Sequence, residues 1–548
     1  MELRHRPTPS LERSLVLWPS TEKGPSMTDL NNHYDAIFIG SGIGPMTAAS
    51  LLARRKGWRC LILERHYRPG GFTHAFERKK WRWDVGVHYI GGMVHGDVLY
   101  QLLNYLSDGA LQWTKMPSDF DVFEYPDLVF RVPDEEGLYR DRLKDLFPSE
   151  CRGIDRYFED MKRAISFMPA YMMSRLLAGP FAAVAAGVER VKSRLALQTT
   201  TEYMNRNFRD ERLRGLLVSH WGDYGLPPGR SSFLIHSIIT THYLRGGFYP
   251  VGGGTALYEG IAPSIKRNGG NVVVNHEVQE ILIDKKGRVR GVQALYRQGR
   301  HEEQRIFEAP VVVSGAGAAN TYLKLLRNPP PFASELRSLG HSGSAVTLYL
   351  GFKESPLRLG LCGENRWMSN GYDHDRIYAA SDLSAGRIEQ AFLSFPSLKD
   401  PHAEEHTGEI ISFAEYSPFQ EYSALPWKKR GIKYEEMKSR MAAAMLTFVE
   451  RWHPGLRDLV EFSEVSTPLS VEHFTGFRDG AIYGLPASPE RYRKRWLRPQ
   501  TPVPGLYLTG ADVSSLGIGG ALMGGVFTTS SILGAASFPG IIKEALRS

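Results

Sequence analysis

Apolar patterning along the chain starts abruptly at residue 34. Tyr34-Asp-Ala-Ile-Phe-Ile39 is a short run of apolar, aromatic and β-branched residues, the pattern of a strand buried on both faces of a parallel sheet. A glycine-rich turn follows, and the spacing then predicts a helix over 43–55. Arg59-Cys-Leu-Ile-Leu63 reads as a second strand, which completes a βαβ unit. Between about residues 100 and 245 the pattern lengthens, gains aromatic residues and turns helical. A second α/β stretch opens at Gly246-Gly-Phe-Tyr-Pro-Val-Gly-Gly-Gly254. It continues with a helix over 257–266, a strand Asn271-Val-Val-Val-Asn275, a hairpin around Asp284-Lys-Lys-Gly287 and a strand Pro310-Val-Val-Val-Ser314. From 330 to 495 strands and helices mix, with the alternation in Ala345-Val-Thr-Leu-Tyr-Leu350 the clearest strand. Gly505-Leu-Tyr-Leu-Thr-Gly510 closes the series.

This order predicts an α/β protein. A Rossmann-type nucleotide-binding domain is assembled from three chain segments, 34–110, 246–329 and 495–548. An inserted mixed α+β substrate domain takes 111–245 and 330–494. Residues 1–33, rich in Arg, Pro and Ser and without period, read as a disordered leader in which Met27 is an alternative start. The longest apolar run of that leader, Leu15 to Trp18, is too short for an export signal.

Composition changes this picture little. Hydrophobic residues make up 42% of the 548 and charged residues 23%, an ordinary globular balance. The net charge of +8 is scattered. It fits a basic enzyme surface or a surface that meets anionic lipid, but no nucleic-acid-binding module accompanies it. Cys60, Cys151 and Cys362 lie far apart, which argues against a disulfide framework and for a reducing compartment. The histidines form no metal-ligand spacing, so no metal is expected.

The chemistry starts at Gly40-Ser-Gly-Ile-Gly-Pro45, between strand and helix. Gly40 permits the tight turn, and Gly42 lets the backbone approach a pyrophosphate at the positive end of the helix dipole. The third glycine of the GxGxxG pattern is replaced by Pro45, which the first helical turn tolerates, and Gly44 is left to supply the close packing. Glu64 ends the second strand where a carboxylate would hold ribose hydroxyls, and Gly70-Gly71 adds a second backbone turn. Glutamate followed by a glycine pair points to FAD rather than NAD. Two further glycine turns, Gly252-Gly-Gly254 and Gly315-Ala-Gly317, lack a following strand that ends in a ribose-binding acid, so no separate NAD(P) domain is expected.

These pieces, with Asp84-Val-Gly-Val-His-Tyr-Ile-Gly91, Gly247-Phe-Tyr-Pro-Val-Gly-Gly253 and Gly505-Leu-Tyr-Leu-Thr-Gly-Ala-Asp512, resemble the phytoene desaturase superfamily of flavoproteins. That superfamily includes carotenoid desaturases, carotenoid isomerases and retinol saturase. Gly71-Phe-Thr-His-Ala-Phe76, His88-Tyr-Ile-Gly91 and Ser394-Phe-Pro-Ser397 look most similar to the retinol saturase branch. The resemblance implies that the backbone of Val278 meets the adenine and that Asp512 holds the ribityl chain. It further implies that Gly519 and Met523 lie beside the isoalloxazine, and it places the region of His88 and Tyr89 near the flavin. His88 is accordingly the candidate proton donor beside a hydride transfer. Tyr249 and His473 are weaker candidates of the same kind, and a core hydrogen-bonding histidine is the plainer reading of His88.

The stretch 165–191 is the most apolar of its length, but Arg175, Pro169 and Pro180 interrupt it, so it does not span a bilayer. It reads either as a buried helix pair or as a patch on the membrane surface, flanked by Lys162, Arg163, Arg190, Lys192 and Arg194. The expected function is an FAD-dependent oxidoreductase, saturase or desaturase, acting on carbon–carbon double bonds of a long apolar polyene of carotenoid or retinoid type. It is expected to be cytoplasmic and peripheral on the membrane. The alternatives are a redox-neutral double-bond isomerase using reduced FAD and a flavin amine oxidase. With no nicotinamide domain in the chain, the electron partner is external, with NAD(P)H visiting the flavin one option.

Overall fold

The computed structural model describes residues 30–299 and 301–548. At its centre is a five-stranded parallel sheet in the order Leu506–Leu508, Val311–Ser314, Ala36–Ile39, Cys60–Leu63, Asn271–Val273. Three separated stretches of chain thus meet in one sheet. The helix Ile43–Lys56 covers it, starting at Gly42 and ending at Gly57, whose φ of 65° is the left-handed conformation that glycine adopts without strain.

Close approach of backbones explains the remaining glycines. A methyl group on Gly44 would lie 2.5 Å from Gly510 Cα, and one on Gly524 would lie 2.2 Å from the Gly510 carbonyl oxygen. This seam lets the helix Gly517–Leu533 press onto the first helix. Pro45 is accommodated by Gly315, where a methyl group would meet the proline ring at 2.1 Å. The packing role of the absent third glycine is therefore shared between Gly44 and Gly315.

A second, seven-stranded sheet has the order Val460–Ser466, Ser344–Phe352, His406–Ala414, Gln390–Ser394, Asn365–Ser369, Asp119–Tyr125, Leu128–Pro133. A three-stranded antiparallel meander, His276–Ile283, Val289–Gln298 and His301–Glu308, lies beside the first sheet. One apolar cluster runs from Ile37 and Leu61 in the parallel sheet to Tyr157 and Phe233 in the helices, so the two layers share a core.

The structure corrects the expected extent of the leader: residues 30–33 pack into the fold. Leu30 is buried in the core, the Asn32 carbonyl accepts a 2.7 Å hydrogen bond from Glu308 N–H, and Arg305 donates to Asn32 Oδ1. The rest of the expected leader, with Met27, lies outside the described residues. Across the boundaries expected at 110 and 246, Trp113–Lys115 pairs with Phe248–Pro250. The stretch 165–191 forms two helices, Phe167–Leu176 and Gly179–Ala196. Arg175 turns inward between them, donating to Glu189 Oε1 (3.1 Å), Ser174 Oγ (2.9 Å) and the Tyr492 carbonyl (3.0 Å).

A truncated chain starting at His33 should lose about 2 kcal/mol of stability, the value of one fully buried leucine. A chain starting at Met27 should match full length. Urea denaturation of both truncations checks this.

Candidate active site

The carboxyl ends of the parallel strands converge on a glycine-lined cradle. Gly40 has φ 88°, Gly70 has φ 114° and Gly71 has φ 59°, so each turn needs its glycine. Gly42 is different. Its backbone is ordinary, at φ −63°, and a Cβ atom there would meet no protein atom within 4 Å. The space before the positive end of the first helix is open, as an anionic pyrophosphate requires.

Glu64 is buried at the edge of this space. It accepts from Ser41 N–H (2.9 Å), Ser41 Oγ–H (2.6 Å) and His66 N–H (2.8 Å). That leaves one of the roughly four lone-pair sites of a carboxylate for a ribose hydroxyl. Val278 lies on the outer strand of the meander, where the ladder bulges between Val278 and Glu280. Its neighbourhood therefore has backbone groups outside the regular pairing. Asp512 does not cap the helix Gly517–Leu533. It accepts from Ala318 N–H (2.7 Å) and Leu485 N–H (3.0 Å), and it lines a cleft with Gly317, Phe477 and Gly484. Gly519 and Met523 follow on that helix, Gly519 against Leu99. These donors, acceptors and open space suit FAD.

Beyond the cradle lies a buried polar network between the seven-stranded sheet and the strands Trp81–Asp84 and Phe248–Pro250. His88 Nδ1 is 2.8 Å from Glu409 Oε2, a close ionic contact off the hydrogen-bond direction. Glu409 is fully buried, whereas the His88 side chain keeps 20% of its surface exposed. The Lys399 ammonium donates to the His88 carbonyl (2.8 Å), Asn365 Oδ1 (2.5 Å) and Ser394 Oγ (2.7 Å). Burial lowers its pKa to about 7 against the pull of Glu409, Asp121 and Asp84. Asp84 accepts from the Tyr249 hydroxyl and Gly254 N–H, and burial raises its pKa to about 6. Tyr89 Oη lies 3.0 Å from Asp121 Oδ2 and 2.7 Å from Asp223 Oδ2, and its ring stacks on Tyr243 at 4.2 Å.

Two apolar clefts adjoin the network. One is lined by Trp221, Trp367, Met368, Phe392 and Phe413. Phe392 meets the His88 ring edge-on at 5.5 Å. The other is lined by Phe120, Asp121, Phe123, Val132, His220 and Tyr243. Their aromatic walls are interrupted by polar side chains, among them Ser219, His374 and Gln390 in the first and Asp121, His220 and Thr240 in the second.

The model of the family described as "Flavin containing amine oxidoreductase" matches residues 46–533. The chain belongs to this flavoprotein family. Within it, the flavoprotein falls in the group of retinol saturases and carotenoid isomerases. It is 31% identical to the all-trans-retinol 13,14-reductase of Danio rerio, over 91% of this chain and 86% of that protein. It is 26% identical to prolycopene isomerase 2 of an Oncidium hybrid cultivar, over 82% of this chain and 75% of that protein. Among solved structures, putrescine oxidase bound to putrescine superposes with a TM-score of 0.60 at 16% identity, covering 91% and 99% of the two chains. That likeness speaks to the fold alone. Family membership implies FAD.

The structure gathers Gly40, Gly42, Gly44, Glu64, Gly70, Gly71, Asp512 and Gly519 around the cradle's turns and helix starts, and it places His88 against Glu409. Tyr249 is tied to Asp84 in the same network. His473 is elsewhere, stacked on Trp427 at 5.4 Å. Sequence reading missed Lys399, Glu409, Asp121 and Asp223. The usable signal was weak: charged residues beside apolar strands, as in Glu409-Ile-Ile-Ser412, mark charges drawn into a core. Among the described residues no three potential ligands gather as a metal site, and no helix is long and apolar enough to cross a membrane.

Proposed function

We propose that this flavoprotein reduces one carbon–carbon double bond of a long apolar polyene of retinoid or carotenoid type. The observation that carries the reading is a buried proton-bearing network beside two aromatic clefts, in a chain whose relatives are named for retinol reduction and prolycopene isomerisation. Bound FAD, once loaded by a nicotinamide or other external two-electron donor, supplies the electron pair as hydride. The chain's own residues do the rest. Gly40, Gly42, Glu64, Gly70 and Gly71 hold the ADP half, Val278 meets the adenine, and Asp512, Gly519 and Met523 hold the ribityl and ring end. The aromatic clefts orient the polyene and exclude water. His88, with Glu409 behind its Nδ1, gives the proton to the carbon next to the one that receives hydride.

Pre-reduced enzyme, mixed anaerobically with all-trans-retinol and with a carotenoid panel, should give a product two mass units heavier. A product of unchanged mass supports the isomerase. An oxidised enzyme yielding a product two units lighter supports the desaturase.

The membrane reading also becomes specific. On the helix Gly179–Ala196, Phe181, Val184, Val188 and Val191 share one face and are exposed, Phe181 by 72% and Val191 by 79%. Leu176, by contrast, packs on the core. Phe181→Asp with Val191→Asp should abolish sedimentation with anionic liposomes and leave the flavin content unchanged. Wild-type protein that stays in the supernatant at low salt would refute peripheral binding by this face.

A further inference from the structure

The buried Asp121 and the half-buried Asp223 meet at one hydroxyl, and the number of protons decides what that means. Tyr89 Oη is 3.0 Å from Asp121 Oδ2 and 2.7 Å from Asp223 Oδ2, but a phenol has one proton to donate. It satisfies one carboxylate. The second short contact is a hydrogen bond only if the other carboxyl group carries a proton and donates it to the phenol oxygen. Two ionised carboxylates here would leave a buried acceptor facing an oxygen lone pair, at a cost that burial makes large.

The surroundings agree. Asp121 Oδ1 accepts from Trp367 Nε1–H at 3.2 Å, and the Asn365 side chain is a second neutral neighbour of this carboxyl group. Asp121 also faces Lys399, on the next element, and its strand neighbour Asn365, which accepts from Lys399. Asp223 faces Asp121, Lys399, Tyr243 and Tyr483. His220 lies across the cleft, held neutral by burial with its pKa lowered to about 4. Lys399 is the nearest cation. It also faces Glu409, Asp84 and Glu364; Arg366 holds the last, so one lysine and His88 are left with four carboxyl groups. Not all four are ionised in so dry a place. Burial raises Asp121 to about 7 and pushes Asp223 well above the usual carboxylate range.

We propose that Asp121, Tyr89 and Asp223 form a proton store, which holds one proton beyond the phenol's own at neutral pH and yields it during each reductive turnover. The proposal rests on the reductase reading above. In that reaction the π bond breaks, one new C–H bond takes the hydride from reduced FAD, and the other takes a proton. His88 delivers that proton while the polyene plugs the clefts, and the store replaces it through the polar network centred on Lys399. The store's carboxylate is later reprotonated from solvent. Atoms and charge balance with one proton from water per double bond reduced.

The test begins without substrate. Infrared spectra of the holoenzyme at pH 6.5 should show a protonated carboxyl C=O stretch that shifts in D2O and disappears in Asp223→Asn, whose amide can still donate to Tyr89. In single turnover of pre-reduced enzyme with all-trans-retinol the band should bleach. In Asp223→Asn, kcat should fall at least about tenfold with KM unchanged, less than the loss of an acid that touches the reacting carbon. The wild-type decline in kcat with rising pH, as the store empties above the usual carboxylate range, should also vanish. If Asp223→Asn does not fold, Tyr89→Phe is the second variant, and it should shift the band rather than abolish it. Absence of the band in wild type, or a wild-type rate and pH profile in Asp223→Asn, would overturn the store. A band that is present while no polyene is reduced would leave the store standing and sink the reductase reading instead.

Discussion

Gly42→Glu should give a folded protein without flavin. Two features of the position separate folding from binding. The backbone at Gly42 has φ −63° and ψ 171°, which any residue adopts, and a Cβ atom there meets no protein atom within 4 Å. The fold therefore has no reason to reject the substitution. The carboxylate, however, enters the open space at the helix start that the pyrophosphate needs, and two like charges compete for the same backbone N–H groups. Purified Gly42→Glu should show a wild-type circular dichroism spectrum, no flavin absorption and no reductase activity. Gly44→Ala is the contrasting control. Its methyl group would meet Gly510 Cα at 2.5 Å, so that variant should fail in folding first. Full flavin in Gly42→Glu would move the cofactor site elsewhere.

His88→Gln should lower the rate of polyene reduction by roughly 100-fold, the scale of positioned acid catalysis, with flavin content unchanged. Glutamine preserves approximate size and a hydrogen-bond donor toward Glu409, but it does not titrate near neutral pH. Packing should survive, since Phe392 and Lys399 contact the ring and the backbone carbonyl rather than a charge. Reduction of the flavin by dithionite should proceed at the wild-type rate, which isolates the defect to the step that needs a proton. An unchanged turnover number would return His88 to a structural role. Glu409→Gln offers a graded comparison: it keeps the shape behind Nδ1 and removes the charge, so it should slow turnover less than His88→Gln.

Local rules made part of this protein readable. The strands expected at 34–39, 59–63 and 310–314 occupy Ala36–Ile39, Cys60–Leu63 and Val311–Ser314, and the helix expected over 43–55 is Ile43–Lys56. Continuous apolar runs bounded by glycine leave few other options for a strand buried on both faces. The hairpin at Asp284-Lys-Lys-Gly287 joins His276–Ile283 to Val289–Gln298 for the same reason of turn chemistry. Residues 30–33 were misread because their order comes from a partner far along the chain, the His301–Glu308 strand, and not from any period of their own.

Gly40, Gly42, Glu64 and Gly70-Gly71 could be named from sequence because backbone geometry near a pyrophosphate demands glycine at short, regular spacing. Lys399, Glu409, Asp121 and Asp223 could not. Each comes from a different element, and no spacing rule connects residues 121, 223, 399 and 409. What makes them chemically distinctive is their burial close together, a property that exists only once helices and loops have packed on the seven-stranded sheet. The sequence by itself thus determined the glycine turns and the carboxylate beside them, where local conformation and chemistry coincide within about thirty residues. Tertiary structure alone decided which charged side chains share burial and hydrogen-bond donors, because both depend on which distant residues are brought into contact.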